Sequence, residues 1–545
     1  MSTTRVFLRG AIILAIATIV SKLFGSVYTI VLQNMIGDRG MGLYNMAYPV
    51  YSTLLIISTA GFPVAVSKYV SEYVAIGDLR SATRIYRVSL WMLSAVGLIG
   101  AIMLYAFAPF FAQLAGDERA VWAIRAIAPA LLIVPAMSSM RGYFQGWQMM
   151  EPTAASQIFE QIVRVVTILV GAYFALRLGY GDPFAAASAA FGAVTGGLAG
   201  MLVMGFFFWR YRHPQQLAQH TSRGLDHSRA IARVSTREIV KKLIYYAIPV
   251  SLGALVIPII SNVDALTVTN LLKGSGLSQA VATRDFGILS GRAFKLMMLP
   301  AALASSIGVA LMPAVSEAHA MRDQSDTAAR ALMGLRMTLL FALPASIGLF
   351  ILAKPIDIAL FRNAAGFHSI QILGFATLFS TLQIALAASL QGVGAVYLPL
   401  RSLLIGTVAK VVLNYLLVPR LGIDGAALAT VGSYALASIL NFISLYKLLN
   451  MRINWRDLLL RPAGATFIMG AFTFAVYAQW QRLHVPLDTR MSAAAATVMA
   501  ILVAGVIYLL SLILSGTLRE QEVASLPKIG TPLVGALRRI GLFAS

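Results

Sequence analysis

Residues 158–168 read IFEQIVRVVTI and residues 406–416 read GTVAKVVLNYL. Each is an apolar stretch interrupted by a basic residue, Arg164 or Lys410, and each basic residue is followed by Val-Val. The two positions lie 246 residues apart, and other pieces of the chain coincide at nearly the same displacement. Gln145-Gly146 falls on Gln391-Gly392, Val70-Ser71-Glu72 on Val315-Ser316-Glu317, and Leu178-Gly179 on Leu421-Gly422. Matches in a constant order at a near-constant offset describe an internal repeat. The shift spans six apolar segments, which preserves direction across a membrane, so the repeats are expected to be parallel, about an axis along the membrane normal.

The composition demands a membrane. Of 545 residues 59% are hydrophobic and 12% charged, and the charged share is about half that of soluble domains. Apolar runs of roughly 20 residues recur, the length of a bilayer-spanning helix. The expected spans are 8–34, 44–68, 85–113, 122–147, 154–176, 184–210, 243–270, 285–315, 330–353, 369–391, 397–418, 424–447, 462–481 and 491–514. The basic start and long apolar run of MSTTRVFLRGAIILAIATIVSKLFG read as the first span, not as a cleaved signal. The formal charge is +22. In a membrane protein this reflects cytoplasmic loops and buried sites for anions, not nucleic acid. With the N-terminus inside, the inner segments hold 27 Lys or Arg and the outer ones 11, which predicts that both termini are cytoplasmic. There is no Cys, and the six His show no ligand spacing.

The expected fold is therefore an all-α polytopic membrane protein of 14 transmembrane helices, two six-helix lobes plus a terminal pair. Its parts are an N-terminal lobe 1–210, a basic cytoplasmic linker 211–242, a C-terminal lobe 243–447, helices 13 and 14 within 448–514, and a cytoplasmic tail 515–545.

Five basic residues belong to neither the inner nor the outer segments so counted: Lys22, Arg164, Arg292, Lys295 and Lys410. On helix eight Arg284, Arg292 and Lys295 share an arc of about 80° at 100° per residue, a ladder descending from the outer surface. Arg284 and Arg292 read equally well as interfacial anchors. Glu160 and Arg164 can meet as an i,i+4 pair, either as a neutralised structural pair or as one that substrate opens. Asp264 is the main acidic residue of helix seven, and Asn414 lies one turn beyond Lys410. An excess of positive groups at membrane depth costs several kcal/mol and makes sense where an anion visits. A diphosphate offers several oxygens to such distributed donors. Gly61, Pro63, Gly308 and Pro313, within STAGFPVAVS and ALASSIGVALMP, are candidate hinges, with ordinary packing as the plainer account.

FKLMMLPAALASSIGVALMPAVSE at 294–317 resembles the helix-eight signature of the multidrug/oligosaccharidyl-lipid/polysaccharide exporter superfamily. SKLFG at 21–25 resembles the helix-one motif of its lipid II flippases, and NMAYPVYSTLLIISTAGFPVAVSKYVSEY at 45–73 resembles the stage V sporulation protein B branch. The resemblance covers about residues 5–514. It implies a V-shaped exporter of the bacterial plasma membrane, not an enzyme. Its partners would be membrane lipids and an undecaprenyl-diphosphate-linked glycan, flipped by alternating access, most simply lipid II. The expected state is a monomer with no cofactor and no metal, and coupling to an ion or to the membrane potential stays open. Lys22 and Lys295 fall where those flippases carry Arg. The chain departs from their pattern at Tyr28-Thr29, at Asn45 and within STLLIIS at 52–58, so Arg164 and Lys410 are expected to substitute. Asp264, Asn414 and Thr430 partly match a sodium site of some relatives, but Lys410 beside Asn414 disfavours a cation there. Alternatives are a carrier of another lipid-linked polysaccharide and a cation-coupled multidrug antiporter. The antiporter calls for acidic and aromatic residues, which the basic excess opposes. A membrane enzyme lacks an acidic pair or His-Asp set at a plausible interface.

Overall fold

The computed structural model describes residues 3–59, 61–211, 235–254, 256–483 and 488–517, with the side chains at 3–24, 26, 248–250, 252–258, 302–306 and 309–310 outside that description. Most of the expected linker and tail, and the side chain of Lys22, thus lie outside the described residues. Every regular element among those described is helical. Eleven helices among them are long and apolar enough to cross a membrane. In a bilayer only helices and closed barrels satisfy their backbone groups internally, so the chain is an all-α polytopic membrane protein.

Several spans are broken where the sequence reading drew them straight. The first helix, Thr3–Thr59, takes in the first expected span and most of the second, and turns between them at Gly37, at φ 68° and ψ 176°. Glycine adopts that conformation without steric cost. The second expected span, 44–68, is itself interrupted. Gly61 caps a new helix, Phe62–Ala75, with Pro63 in its first turn. A Cβ at Gly61 would lie 2.1 Å from the carbonyl oxygen of Ala247, so close backbone approach requires glycine there. The expected helix 285–315 is three pieces: Gln279–Gly287, a π-helical turn Ile288–Ala293, and Phe294–Ala320. That turn contains Arg292 and lies between Arg284 and Lys295, so a uniform 100° step does not apply. The expected span 330–353 runs on as Gln324–Phe361, through Pro355, and ends at Arg362 in the left-handed region.

The chain divides into two compact units, Met1–Gly291 and Arg292–Ser545. The sequence reading instead drew its division at the 211–242 linker. In the first unit an aromatic core gathers around Phe208, whose ring centroid lies 4.7 Å from that of Tyr86 and 4.8 Å from that of Phe144. In the second unit the helices Arg461–Arg482 and Thr489–Leu514 pair with each other and pack on Gln324–Phe361. There Tyr508 donates its hydroxyl to the Leu340 carbonyl at 2.7 Å.

Two of the repeated sequence matches prove to be one contact made twice. In the first unit a Cβ on Gly146 would stand 2.6 Å from Cβ of Val70; in the second, a Cβ on Gly392 would stand 3.0 Å from Cβ of Val315. A third match, Gly179 and Gly422, supplies positive φ just after the helices Glu151–Arg177 and Tyr397–Leu421. Small residues let membrane helices approach closely, where apolar burial alone gives no drive.

Candidate functional site

Arg164 and Glu160 sit near the middle of the Glu151–Arg177 helix, one turn apart. Arg164 donates through Nη2 to Glu160 Oε1, as the i,i+4 spacing predicts. The second carboxylate oxygen is also taken. Arg141, on the Ala130–Gly146 helix, donates through Nη2 to Glu160 Oε2 at 2.8 Å and through Nε to Ser156 Oγ at 2.8 Å. The side chains of Arg141, Glu160 and Arg164 are 14%, 10% and 17% exposed. Two guanidiniums share one carboxylate, so the cluster keeps one positive charge. Nε of Arg164 is buried and has no hydrogen-bond partner among the described residues.

The next helix, Gly181–Arg210, presents Gly192, Gly196 and Gly200 to this pair. A Cβ on Gly196 would come within 2.7 Å of the Glu160 carbonyl oxygen and 2.8 Å of Arg164 Cβ; one on Gly200 would meet the Met137 sulfur at 2.7 Å. The glycines seat the two helices close enough that Glu160 and Arg164 are enclosed between helices instead of facing lipid.

The other expected site residues fall as follows. Arg284 is exposed and pairs with Asp285 at 3.0 Å. Arg292 is buried, donating to Asp357 Oδ1 at 3.1 Å and Asn363 Oδ1 at 2.7 Å, with Phe361 under its guanidinium. Asp357 Oδ2 accepts from the Gly366 amide at 2.7 Å. Arg292 thus ties down the turn that follows the Gln324–Phe361 helix, the geometry of a structural ion pair. Lys295 is half-buried on Phe294–Ala320. Lys410 and Asn414 are fully buried on Tyr397–Leu421, and Thr430 on Ile423–Leu449 donates back to the Ala426 carbonyl. Asp264 is buried in the first unit. Of the hinge candidates, Gly61 and Pro63 stand at a helix break, whereas Gly308 and Pro313 lie inside a continuous helix. No group of three or more His, Cys, Asp or Glu converges as for a metal ion among the described residues.

A profile of the polysaccharide biosynthesis protein family matches residues 7–319. The chain is 31% identical to the uncharacterized membrane protein YabM of Bacillus subtilis over 97% of its length and 96% of that protein. It is also 31% identical to the lipid II flippase MurJ of Bacillus subtilis, over 92% and 94%. Its fold matches an inward-facing multidrug resistance MATE family transporter of the MOP superfamily at a TM-score of 0.66 and 17% identity, covering 81% of this chain and 98% of that one. The chain belongs to the polysaccharide biosynthesis protein family, in the multidrug/oligosaccharidyl-lipid/polysaccharide exporter superfamily. It is a multi-pass protein of the bacterial plasma membrane and a transport protein, not an enzyme.

Proposed function

We propose that this protein is a flippase that carries an undecaprenyl-diphosphate-linked cell-wall precursor, lipid II, from the inner to the outer leaflet by alternating access. One observation carries the reading: Arg141, Glu160 and Arg164 form a cluster of net positive charge within a membrane-spanning helix packing. Such charge is costly in lipid unless an anion uses it. The same cluster opposes a carrier of organic cations. The resemblance to the Bacillus subtilis lipid II flippase supports the same cargo class.

The geometry suggests how a diphosphate is taken. In the empty state Glu160 holds both arginines. A diphosphate offers Arg164 a more highly charged partner, and the unmet Nε of Arg164 offers the cargo a further donor. When Arg164 swings to the phosphate, Glu160 keeps Arg141, so no buried carboxylate is stranded. Stranding one partner of a buried pair costs about 3–5 kcal/mol, and the second arginine removes that penalty. Lys22 of the first unit, and Lys295 and Lys410 of the second, remain candidate cargo-binding residues in this reading, while Arg292 serves structure. The transporter works as a monomer of fourteen helices, two six-helix lobes plus a terminal pair, with both termini in the cytoplasm.

Lipid-linked glycans other than lipid II share the diphosphate, so the test must read cargo. The host's lipid II flippase is depleted and this chain expressed. Restored growth, with lipid II reaching the outer leaflet, is expected; normal expression without rescue would assign the chain to a different cargo.

A further inference from the structure

A row of phenols runs beside the cationic cluster, and the cluster alone does not account for it. Tyr44, Tyr48 and Tyr51 follow i, i+4, i+7 spacing after the Gly37 turn and share one helix face. Their ring centroids are 6.1 and 6.0 Å apart in succession. Tyr28, before the turn, meets Tyr44 with hydroxyls 3.2 Å apart. The Thr3–Thr59 helix that carries the row packs against the Glu151–Arg177 helix that carries Arg164, which sets the phenols within electrostatic range of the guanidinium, whose buried Nε has no partner among the described residues. All these residues belong to the first unit. Tyr44 and Tyr51 are buried and anchor the row; Tyr28 and Tyr48 keep part of their surface open.

We propose that Tyr28 and Tyr48 form a sugar subsite, which receives the first glycan ring of the cargo while Arg164 holds the adjoining phosphate. The inference rests on the diphosphate-lipid reading above. Aromatic faces pack on the C–H face of a pyranose, and phenols both donate to and accept from its hydroxyls. In a diphosphate-linked glycan the sugar is bonded directly to a phosphate, which matches a phenol row adjoining an arginine. Aromatic rows also attract organic cations, but the positive charge of the Arg141–Glu160–Arg164 cluster repels them from this one.

The test is a binding titration of the full-length protein in lipid nanodiscs with two probes: undecaprenyl diphosphate, and the same lipid bearing a disaccharide. The expected result is tighter binding of the glycan-bearing lipid by the wild type, by about three- to tenfold per ring contact. Tyr48→Ala and Tyr28→Ala should each erase part of that preference and leave the bare lipid's affinity unchanged. Tyr48→Phe keeps the ring and should retain most of the preference. Unchanged binding of the bare lipid also shows that each variant is folded. Equal affinity of the wild type for both probes would overturn the subsite and leave the diphosphate reading standing, as would equal loss of both probes in the alanine variants. Failure of the wild type to bind either probe would overturn the diphosphate reading itself.

Discussion

Arg141 donates to the carboxylate of Glu160 at 2.8 Å from a different helix, nineteen residues earlier in the chain. Glu160 is therefore a shared counterion, and the two arginines are not equivalent. Arg141 is also held by Ser156, whereas Nε of Arg164 has no partner among the described residues. Arg141 is the fixed partner and Arg164 the one that can leave.

That asymmetry predicts different losses. Arg164→Ala leaves Glu160 paired with Arg141, so folded yield should hold. Transport should fall about tenfold or more, since a charge-assisted hydrogen bond contributes roughly 1.5–3 kcal/mol. Glu160→Gln leaves two neighbouring guanidiniums without a counterion and should lower thermal stability more than Arg164→Ala does. An exchange of the pair, Glu160→Arg with Arg164→Glu, sets a guanidinium against Arg141 and should assemble poorly. Thermal unfolding in detergent, set beside transport at matched protein amounts, checks all three.

The glycine seat makes a second prediction. Gly196→Ala forces a methyl to within 2.7 Å of the Glu160 carbonyl, and overpacking of this kind costs about 1–3 kcal/mol. Gly205, on the same helix, has nothing within 4 Å of its would-be Cβ. Gly205→Ala should therefore be neutral or slightly stabilising, as a better helix former. Equal unfolding temperatures for the two variants would contradict the tight seat.

Asp357 gives a third. Asp357→Ala takes the paired carboxylate away from the buried Arg292 guanidinium. The expected cost is about 3–5 kcal/mol, read as a large drop in unfolding temperature. The double variant Arg292→Met with Asp357→Leu removes both charges and should recover most of the loss. Transport by a folded double variant should survive, because Arg292 serves structure in this account.

Much of this was legible in the sequence where the cause is local. Hydropathy marks the spans because a bilayer admits little else, and the i,i+4 spacing of Glu160 and Arg164 announces their pair. The repeat was readable as ordered matches because Gly146 and Gly392 each need the absence of a side chain, the one against Val70 and the other against Val315. Arg141 was harder. It lies near the end of the expected 122–147 span, and nothing local joins it to Glu160. Asp357 was hidden for a similar reason. Lys354-Pro355 looks like a helix end, but the helix runs through the proline, and the partner of Asp357 is 65 residues away. The π-helical turn at Ile288–Ala293 has no counterpart in periodicity, so the uniform spacing assumed for Arg284, Arg292 and Lys295 broke there. Tyr44, Tyr48 and Tyr51 do carry helical spacing, but an aromatic face in a membrane helix is ordinarily packing, and only the approach of Arg164 sets it apart.

The central claim is that Arg164 draws a lipid-linked diphosphate across the membrane. Purified protein in vesicles holding labelled lipid II permits a direct measurement, the rate at which label moves from one leaflet to the other. The account predicts protein-dependent transfer by the wild type, slowed about tenfold or more by Arg164→Ala at equal protein incorporation. Equal rates for the two proteins, or no transfer by the wild type, would contradict it.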